Sequence, residues 1–126
     1  MRYVLMVKQP VYGSQGAFSA YQFACALLER GHHITQIFFA QAGVTNGNAF
    51  VYPANDEFNL LQAWQTLAQT HQVPLHLCIA AAQRRGVVDA MTAAQRTQHN
   101  LADGFILAGL AEFSKAVLEA DRVITI

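Results

Sequence analysis

Short continuous apolar runs alternate along the chain with longer segments whose apolar residues recur at helical spacing. The clearest runs predict strands and lie at 2–8, 33–40, 73–79 and 122–126. Between them, spacings such as Phe18, Tyr21, Cys25 and Leu28 predict amphipathic helices. Continuously apolar strands are typical of a parallel sheet covered by helices on both faces. The pattern therefore predicts a three-layer α/β/α fold, flavodoxin-like in architecture, with a mostly parallel sheet of about five strands.

Capping residues and glycines set the expected ends of the first two helices. Ser14 is expected to cap the first helix, and Gly31 is expected to end it. Asn55 or Asp56 is expected to cap the second, because both types accept hydrogen bonds from free N–H groups.

Three other segments have weaker patterns. Residues 41–48 are rich in turn-forming types and predict a loop after the second strand. The apolar run 104–110 introduces a last helix that reaches Ala120. Residues 90–102 are polar and give no clear helix or strand pattern.

Length and composition narrow the class of protein. The 126 residues, 53% of them hydrophobic, are expected to form one domain, 1–126, with a substantial core. No apolar run is long enough for a membrane span and the N-terminus lacks signal-peptide features, so a cytoplasmic protein is expected. Eight basic and eight acidic residues leave no basic excess, so the chain is not expected to grip nucleic acid by itself.

The charged fraction is unusually low. It is 13%, against about 25% in typical soluble domains. Since so few charges are available to cover the surface, the chain is expected to expose apolar surface that other subunits bury. The composition therefore predicts an oligomer.

Cys78 is the candidate nucleophile. It closes the strand-like run 73–79 and opens the small-residue stretch 80–86, which places it where a strand turns into a helix. Backbone N–H groups at a helix start and nearby arginines both stabilise a thiolate. Arg84 and Arg85 could act in this way, could bind an acidic partner, or could simply be a solvated helix end.

Other candidate sites are weaker. Cys25 lies on the apolar stripe of the first helix and is interpreted as a core residue. The five histidines lack metal-ligand spacing, and His76 is expected inside a strand on the face opposite its neighbours. Asp56 and Glu57 are interpreted as acidic residues at a helix start. The loop 10–16 matches no phosphate-binding motif and is interpreted as shaping the edge near Cys78.

Eight short motifs occur along the chain in the same order and alignment as in a known protein family. They are 10–15, 38–44, 53–58, 63–65, 78–82, 84–89, 104–105 and 121–123. In these motifs the chain resembles the DsrE-like sulfurtransferases, and among them the TusD group, over nearly its whole length. The correspondence is loosest in residues 90–102, so the resemblance does not define the surface beside Cys78.

The resemblance implies a sulfur-relay subunit. Cys78 would carry a persulfide, with no cofactor and no metal. The partners implied are TusB-like and TusC-like subunits in a dimer of heterotrimers, a TusA-like sulfur donor and a TusE-like acceptor, with the sulfur passing toward thiolation of the tRNA wobble uridine. Two alternatives stay open: a DsrE subunit of a sulfur-oxidation complex with reversed flow, and a non-catalytic scaffold or nucleotide-binding module.

Overall fold

The computed structural model describes residues 1–93 and 98–126, and a five-stranded sheet forms the centre of these residues. Its strands are β1 (Arg2–Val7), β2 (His33–Phe39), β3 (Leu75–Cys78), β4 (Phe105–Ala108) and β5 (Arg122–Thr125). They lie in the order β4-β3-β2-β1-β5, and all neighbouring pairs are parallel. The predicted parallel sheet is confirmed.

Four helices and one 3-10 segment connect the strands. They are α1 (Gly16–Glu29), α2 (Leu60–His71), α3 (Ile79–Arg84), α4 (Leu110–Glu119) and the 3-10 segment Gln41–Gly47. None of the helices in the described ranges is both long and apolar enough to cross a membrane.

Neighbouring residues of β2 show which helices cover which face. Adjacent strand residues point to opposite faces. Phe39 packs edge-to-face on Trp64 of α2, with ring centroids 5.3 Å apart. Phe38 packs on Phe113 of α4, with centroids 4.4 Å apart. The sheet therefore has α1 and α2 on one face and α4 on the other, which confirms the three-layer fold.

Most of the buried apolar side chains belong to the face that packs on α1 and α2. This cluster includes Leu5, Ile37 and Leu75 from the sheet, and Ala20 and Trp64 from the helices. Small alanines on α1 let that helix lie close to the sheet. In contrast, α4 contains no buried residue.

Two of the expected helix caps are wrong. The residue before α1 is Gln15, not Ser14, and it makes no side-chain capping bond. The cap of α2 is Asn59, whose Oδ1 accepts a hydrogen bond from the Gln62 N–H at 3.0 Å. Neither Asn55 nor Asp56 reaches this helix, because the backbone between them and Asn59 is not helical. The expected end of α1 is confirmed, since Gly31 follows it with a φ of +83°.

Two other segments differ from their predicted structure. Residues 41–47 form a 3-10 helix instead of an open loop, because two side chains within the segment bond to its own backbone. Thr45 Oγ1 donates to the Ala42 carbonyl, and Asn46 Nδ2 donates to the Gly43 carbonyl. The run 104–110 is mainly strand β4, and the last helix begins only at Leu110 and ends at Glu119. A four-residue apolar run does not by its periodicity distinguish a strand from a helix start.

Part of the weakly patterned segment 90–102 is described. Leu101 forms an isolated antiparallel bridge with Asn48, and Ala93 is buried. Residues 94–97 lie outside the described residues.

Candidate functional site

Cys78 occupies the position that the sequence predicts for it. It is the last residue of β3 and the residue that precedes α3, with φ −59° and ψ 121°. Its thiol is unoxidised and half-buried, and it makes no capping hydrogen bond to the helix. The first N–H groups of a helix have no acceptor within the helix, so they present partial positive charge beside this sulfur.

A second helix also begins next to Cys78. Cys78 is paired with Ala108 across the β3–β4 register, and α4 starts two residues after Ala108. The residue between them, Gly109, has no side chain to cap α4. Two helix N-termini therefore flank Cys78 at the carboxyl edge of the sheet, and both favour negative charge there.

Asn46 fixes the loops around this edge. Its side chain is fully buried and makes three hydrogen bonds. Its Nδ2 donates to the Gln9 carbonyl at 3.1 Å and to the Gly43 carbonyl at 2.8 Å, and its Oδ1 accepts from Trp64 Nε1 at 3.0 Å. One amide therefore ties the end of β1, the 3-10 segment and α2 together.

Asn100 joins distant segments in the same way at the end of α3. Its Nδ2 donates to Asn48 Oδ1 and to the Gly86 carbonyl, both at 3.0 Å, and its Oδ1 accepts from the Val88 N–H at 2.8 Å. Gly86 and Val88 follow α3 directly. The far end of α3 is therefore joined to the end of the 3-10 segment, which holds the helix that begins at Cys78.

The two asparagines are the structural residues that sequence reasoning missed. Both lie in polar, turn-prone stretches, where asparagine usually bonds its own backbone. Nothing in the local sequence distinguishes a buried asparagine that joins three segments from an ordinary turn residue.

Glycines bring the 3-10 segment close to the strands. A Cβ on Gly43 would lie 2.0 Å from the Val7 carbonyl oxygen, and a Cβ on Gly47 would lie 2.6 Å from Leu77 Cδ2. At Gly43 the neighbour is a backbone atom, so only glycine fits, whereas a Cβ at Gly47 would require the Leu77 side chain to shift. The 3-10 segment therefore packs directly on the ends of β1 and β3.

Arg84 and Arg85 lie at the opposite end of α3 from Cys78. Both are exposed, and Arg85 Nη1 donates to the Ala81 carbonyl at 3.3 Å. The two arginines follow Cys78 by six and seven residues. With the rise of an α-helix, their Cα atoms lie about 9–10 Å along the helix axis from the Cα atom of Cys78. The structure brings the arginines onto the same helix as Cys78 but not into contact with its sulfur.

Cys25 and His76 are the other two residues interpreted from their spacing, and both lie where the spacing predicts. Cys25 is half-buried and packs against the core cluster, as its helical spacing predicts. The neighbouring Cys25 thiol raises the pKa of the Tyr21 hydroxyl. His76 is buried on the face of β3 opposite Leu75 and Leu77, as expected. Burial lowers the pKa of His76, although Glu112, 3.9 Å away, opposes the shift.

An open groove of about 640 Å³ lies beside the loop 11–15 at the same edge of the sheet. Phe18 and Phe58 meet in it edge-to-face at 5.1 Å. Glu57 lines the groove too. It is not at a helix start as expected, because its carboxylate instead accepts from the Ala54 N–H at 2.8 Å and contacts the Tyr12 hydroxyl, raising the pKa of Tyr12.

One family model and several known proteins match the whole length of this chain. The model of the DsrE/DsrF-like family matches residues 1–126. A protein of Pasteurella multocida named "Sulfurtransferase TusD homolog" is 69% identical over 124 residues, which cover 98% of each chain. A protein of Haemophilus influenzae with the same name is 62% identical over the full length of both chains. The crystal structure of the ychN protein from E. coli superposes with a TM-score of 0.79 at 26% identity, covering both chains completely.

Proposed function

This chain belongs to the DsrE/DsrF-like family, and we propose that it is a sulfurtransferase that accepts sulfane sulfur as a persulfide on Cys78. One observation carries the proposal. Cys78 is a free, half-buried thiol at the carboxyl edge of a parallel sheet, between the N-termini of α3 and α4. Functional groups of such sheets gather at this edge. The names of the curated relatives support the same reaction class.

The reaction needs one thiolate and no cofactor. The Cys78 thiolate attacks the outer sulfur of a donor persulfide, R–S–SH. The new S–S bond forms on Cys78, the donor's S–S bond breaks, and the donor leaves as the thiolate R–S⁻. The product is Cys78–S–SH, and no electrons are gained or lost overall. An acceptor thiolate then attacks the outer sulfur of Cys78–S–SH in the same way, which restores the Cys78 thiolate.

The placement of Cys25 supports this single-cysteine chemistry. A second thiol close to the persulfide would attack the inner sulfur, form a disulfide and release sulfide. Cys25 lies on α1, packed against the core cluster, and lines a cavity of about 230 Å³ between α1 and α2. Cys78 ends β3 at the carboxyl edge. The proposal therefore gives Cys25 a structural role only.

The names of the curated relatives support a place for this chain in a sulfur relay. We assign the chain, as one DsrE-like domain, to the D position of a TusBCD-like dimer of heterotrimers in the cytoplasm. A TusA-like protein supplies the sulfur and a TusE-like protein receives it for thiolation of the tRNA wobble uridine. The balanced charge of eight basic and eight acidic residues supports an indirect role in tRNA modification, without direct contact to the nucleic acid.

Sulfur loading tests the proposal. The chain, purified with its partner subunits, is mixed with a TusA-like donor carrying ³⁵S persulfide, and the label on Cys78 is located by peptide mass spectrometry. Cys78→Ser is expected to lose all label because a hydroxyl oxygen cannot form a persulfide.

Cys25→Ala is the matched control, since it removes the other half-buried thiol. It is expected to load at the wild-type rate and to lose about 1 kcal/mol of stability, as for a small core truncation. Label on Cys78→Ser at the wild-type level, or loss of label in Cys25→Ala while it stays folded, would contradict the assignment.

A further inference from the structure

His76 is a buried histidine with an unpaired ring nitrogen, on the face of the sheet that carries α4. Its side chain is only 9% exposed. Within residues 1–93 and 98–126, its Nδ1 has no hydrogen-bond partner. Buried polar atoms are almost always paired, because an unpaired one costs free energy. A change that gives Nδ1 a partner would therefore stabilise this part of the chain.

Glu112 is the carboxylate that can become this partner. Its Oε2 lies 3.9 Å from His76 Nδ1, and its side chain is 70% exposed and therefore free to turn. A charge-assisted N–H···O bond is about 2.7–2.9 Å long, so a movement of about 1 Å would close the pair. Glu112 belongs to the first turn of α4. The closed pair would therefore join the start of α4 to β3.

The neighbouring strands place no charge beside His76. Its register partners are Phe38 on β2 and Ile106 on β4. Gln36 lies two residues before Phe38 and therefore on the same face. Its buried Oε1 is also unpaired within the part of the chain that the structure describes. Because Oε1 carries partial negative charge, it favours a positive charge on this face.

Two further charged residues lie on α4, beyond Glu112. Lys115 and Glu119 follow it by three and seven residues on the same side of the helix, and both are exposed. Lys115 opposes a proton on His76 and Glu119 favours one, so their screened effects offset each other. Burial lowers the pKa of His76, and Glu112 raises it in part. The imidazole is therefore neutral at neutral pH, and an added negative charge nearby would favour its protonation.

Cys78 supplies that negative charge when it carries sulfur. It follows His76 by two residues on β3, so their Cα atoms are about 7 Å apart. A persulfide is a stronger acid than the thiol from which it forms, so loading makes the anion Cys78–S–S⁻ the stable form. Because His76 is buried and Cys78 is half-buried, the two charges are screened less than charges on the surface.

We propose that His76 and Glu112 sense the sulfur load of Cys78. The inference rests on the proposed function, because the load is the persulfide. On loading, Cys78–S–SH releases a proton to solvent and becomes Cys78–S–S⁻. His76 takes up one proton from solvent, and the imidazolium closes its pair with Glu112; no electrons move. By linkage, the proton on His76 in turn stabilises the persulfide anion until an acceptor removes the sulfur.

Two adducts of Cys78 that differ by one charge test the sensor. In the Cys25→Ala background, Cys78 is alkylated with iodoacetate, which adds –CH₂–COO⁻, or with iodoacetamide, which adds the neutral –CH₂–CONH₂ of the same size. The titration of His76 is followed by NMR of ¹³C-labelled histidine, and His76→Gln assigns its signal. His76 is expected to bind its proton about three- to tenfold more tightly in the charged adduct. His71, on α2, is expected to titrate equally in both adducts.

Glu112→Gln tests the pair, and Glu119→Gln is the matched control because it removes the same charge two turns further along α4. Glu112→Gln is expected to weaken proton binding by His76 several-fold in both adducts, whereas Glu119→Gln is expected to leave it nearly unchanged. Hydrogen exchange of α4 is expected to be slower in the charged adduct than in the neutral one. In Glu112→Gln the two adducts are expected to exchange equally, because the pair cannot close.

Three outcomes would overturn the sensor. They are equal proton binding by His76 in the two adducts, equal effects of Glu112→Gln and Glu119→Gln, and a persulfide form of the chain that titrates like the neutral adduct. The persulfide form is made with a TusA-like donor and checked by its mass. A chain that takes up no sulfur would contradict the proposed function instead, and this result does not depend on the two adducts.

Discussion

Replacement of Asn46 by alanine is expected to destabilise the protein strongly, although the residue lies in a connection and not in a strand. The change removes three hydrogen bonds, to the Gln9 and Gly43 carbonyls and from Trp64 Nε1. Each contributes about 0.5–1.5 kcal/mol net, and a buried donor left without a partner costs about 1–3 kcal/mol. Trp64 is fully buried, so its N–H has no access to water. The expected loss is about 3–5 kcal/mol, a large part of the roughly 5–15 kcal/mol that stabilises a domain.

Urea denaturation measures this loss. With a slope of about 2 kcal/mol per molar urea, the midpoint is expected to fall by about 2 M. Hydrogen exchange of the 3-10 segment is expected to accelerate, because Asn46 holds it to α2. Asn55→Ala, an exposed asparagine, is the control and is expected to change stability by less than about 0.5 kcal/mol.

A double-mutant cycle isolates the hydrogen bond to Trp64. Trp64→Phe alone removes the donor and leaves Asn46 Oδ1 unpaired, at a cost of about 1–3 kcal/mol. In the Asn46→Ala background the same change is expected to cost at least about 1 kcal/mol less, since the bond is already lost. Strict additivity, or a loss below about 1 kcal/mol in Asn46→Ala, would refute the reasoning.

Three further predictions concern other parts of the molecule. Gly43→Ala places a Cβ 2.0 Å from the Val7 carbonyl and is expected to cost about 3 kcal/mol by urea unfolding, whereas Gly109→Ala, which meets nothing within 4 Å, is expected to be tolerated. Because burial lowers the pKa of His76 in the folded state, the free energy of unfolding is expected to fall as pH drops below the ordinary value of 6.5, and His76→Gln should remove that part of the loss. Arg84→Gln/Arg85→Gln is expected to slow sulfur loading only about two- to threefold, because exposed charges about 9–10 Å along the helix from Cys78 are screened; a loss like that of Cys78→Ser would show a direct role.

The sequence by itself determined the layers of the fold and the position of Cys78. Continuously apolar strands have to be buried on both faces, so the runs at 2–8, 33–40 and 73–79 required helices on both sides of a parallel sheet. Parallel strands bring their carboxyl ends to one edge, so the residue between β3 and α3 had to lie there. These conclusions depend on local periodicity alone, which is why they could be made without coordinates.

Tertiary structure decided the features that depend on contacts between distant segments. The 3-10 segment is held against α2 and the end of β1 because Asn46 and Gly43 meet partners 18 and 36 residues away, Trp64 and Val7. The pairing of Cys78 with Ala108 made β4 a strand and brought the start of α4 beside the thiol. Ile106 is exposed because α4 lies over the centre of the sheet, a position set by the contact of Phe113 with Phe38. No local pattern contains these distances, since each depends on how the whole chain packs.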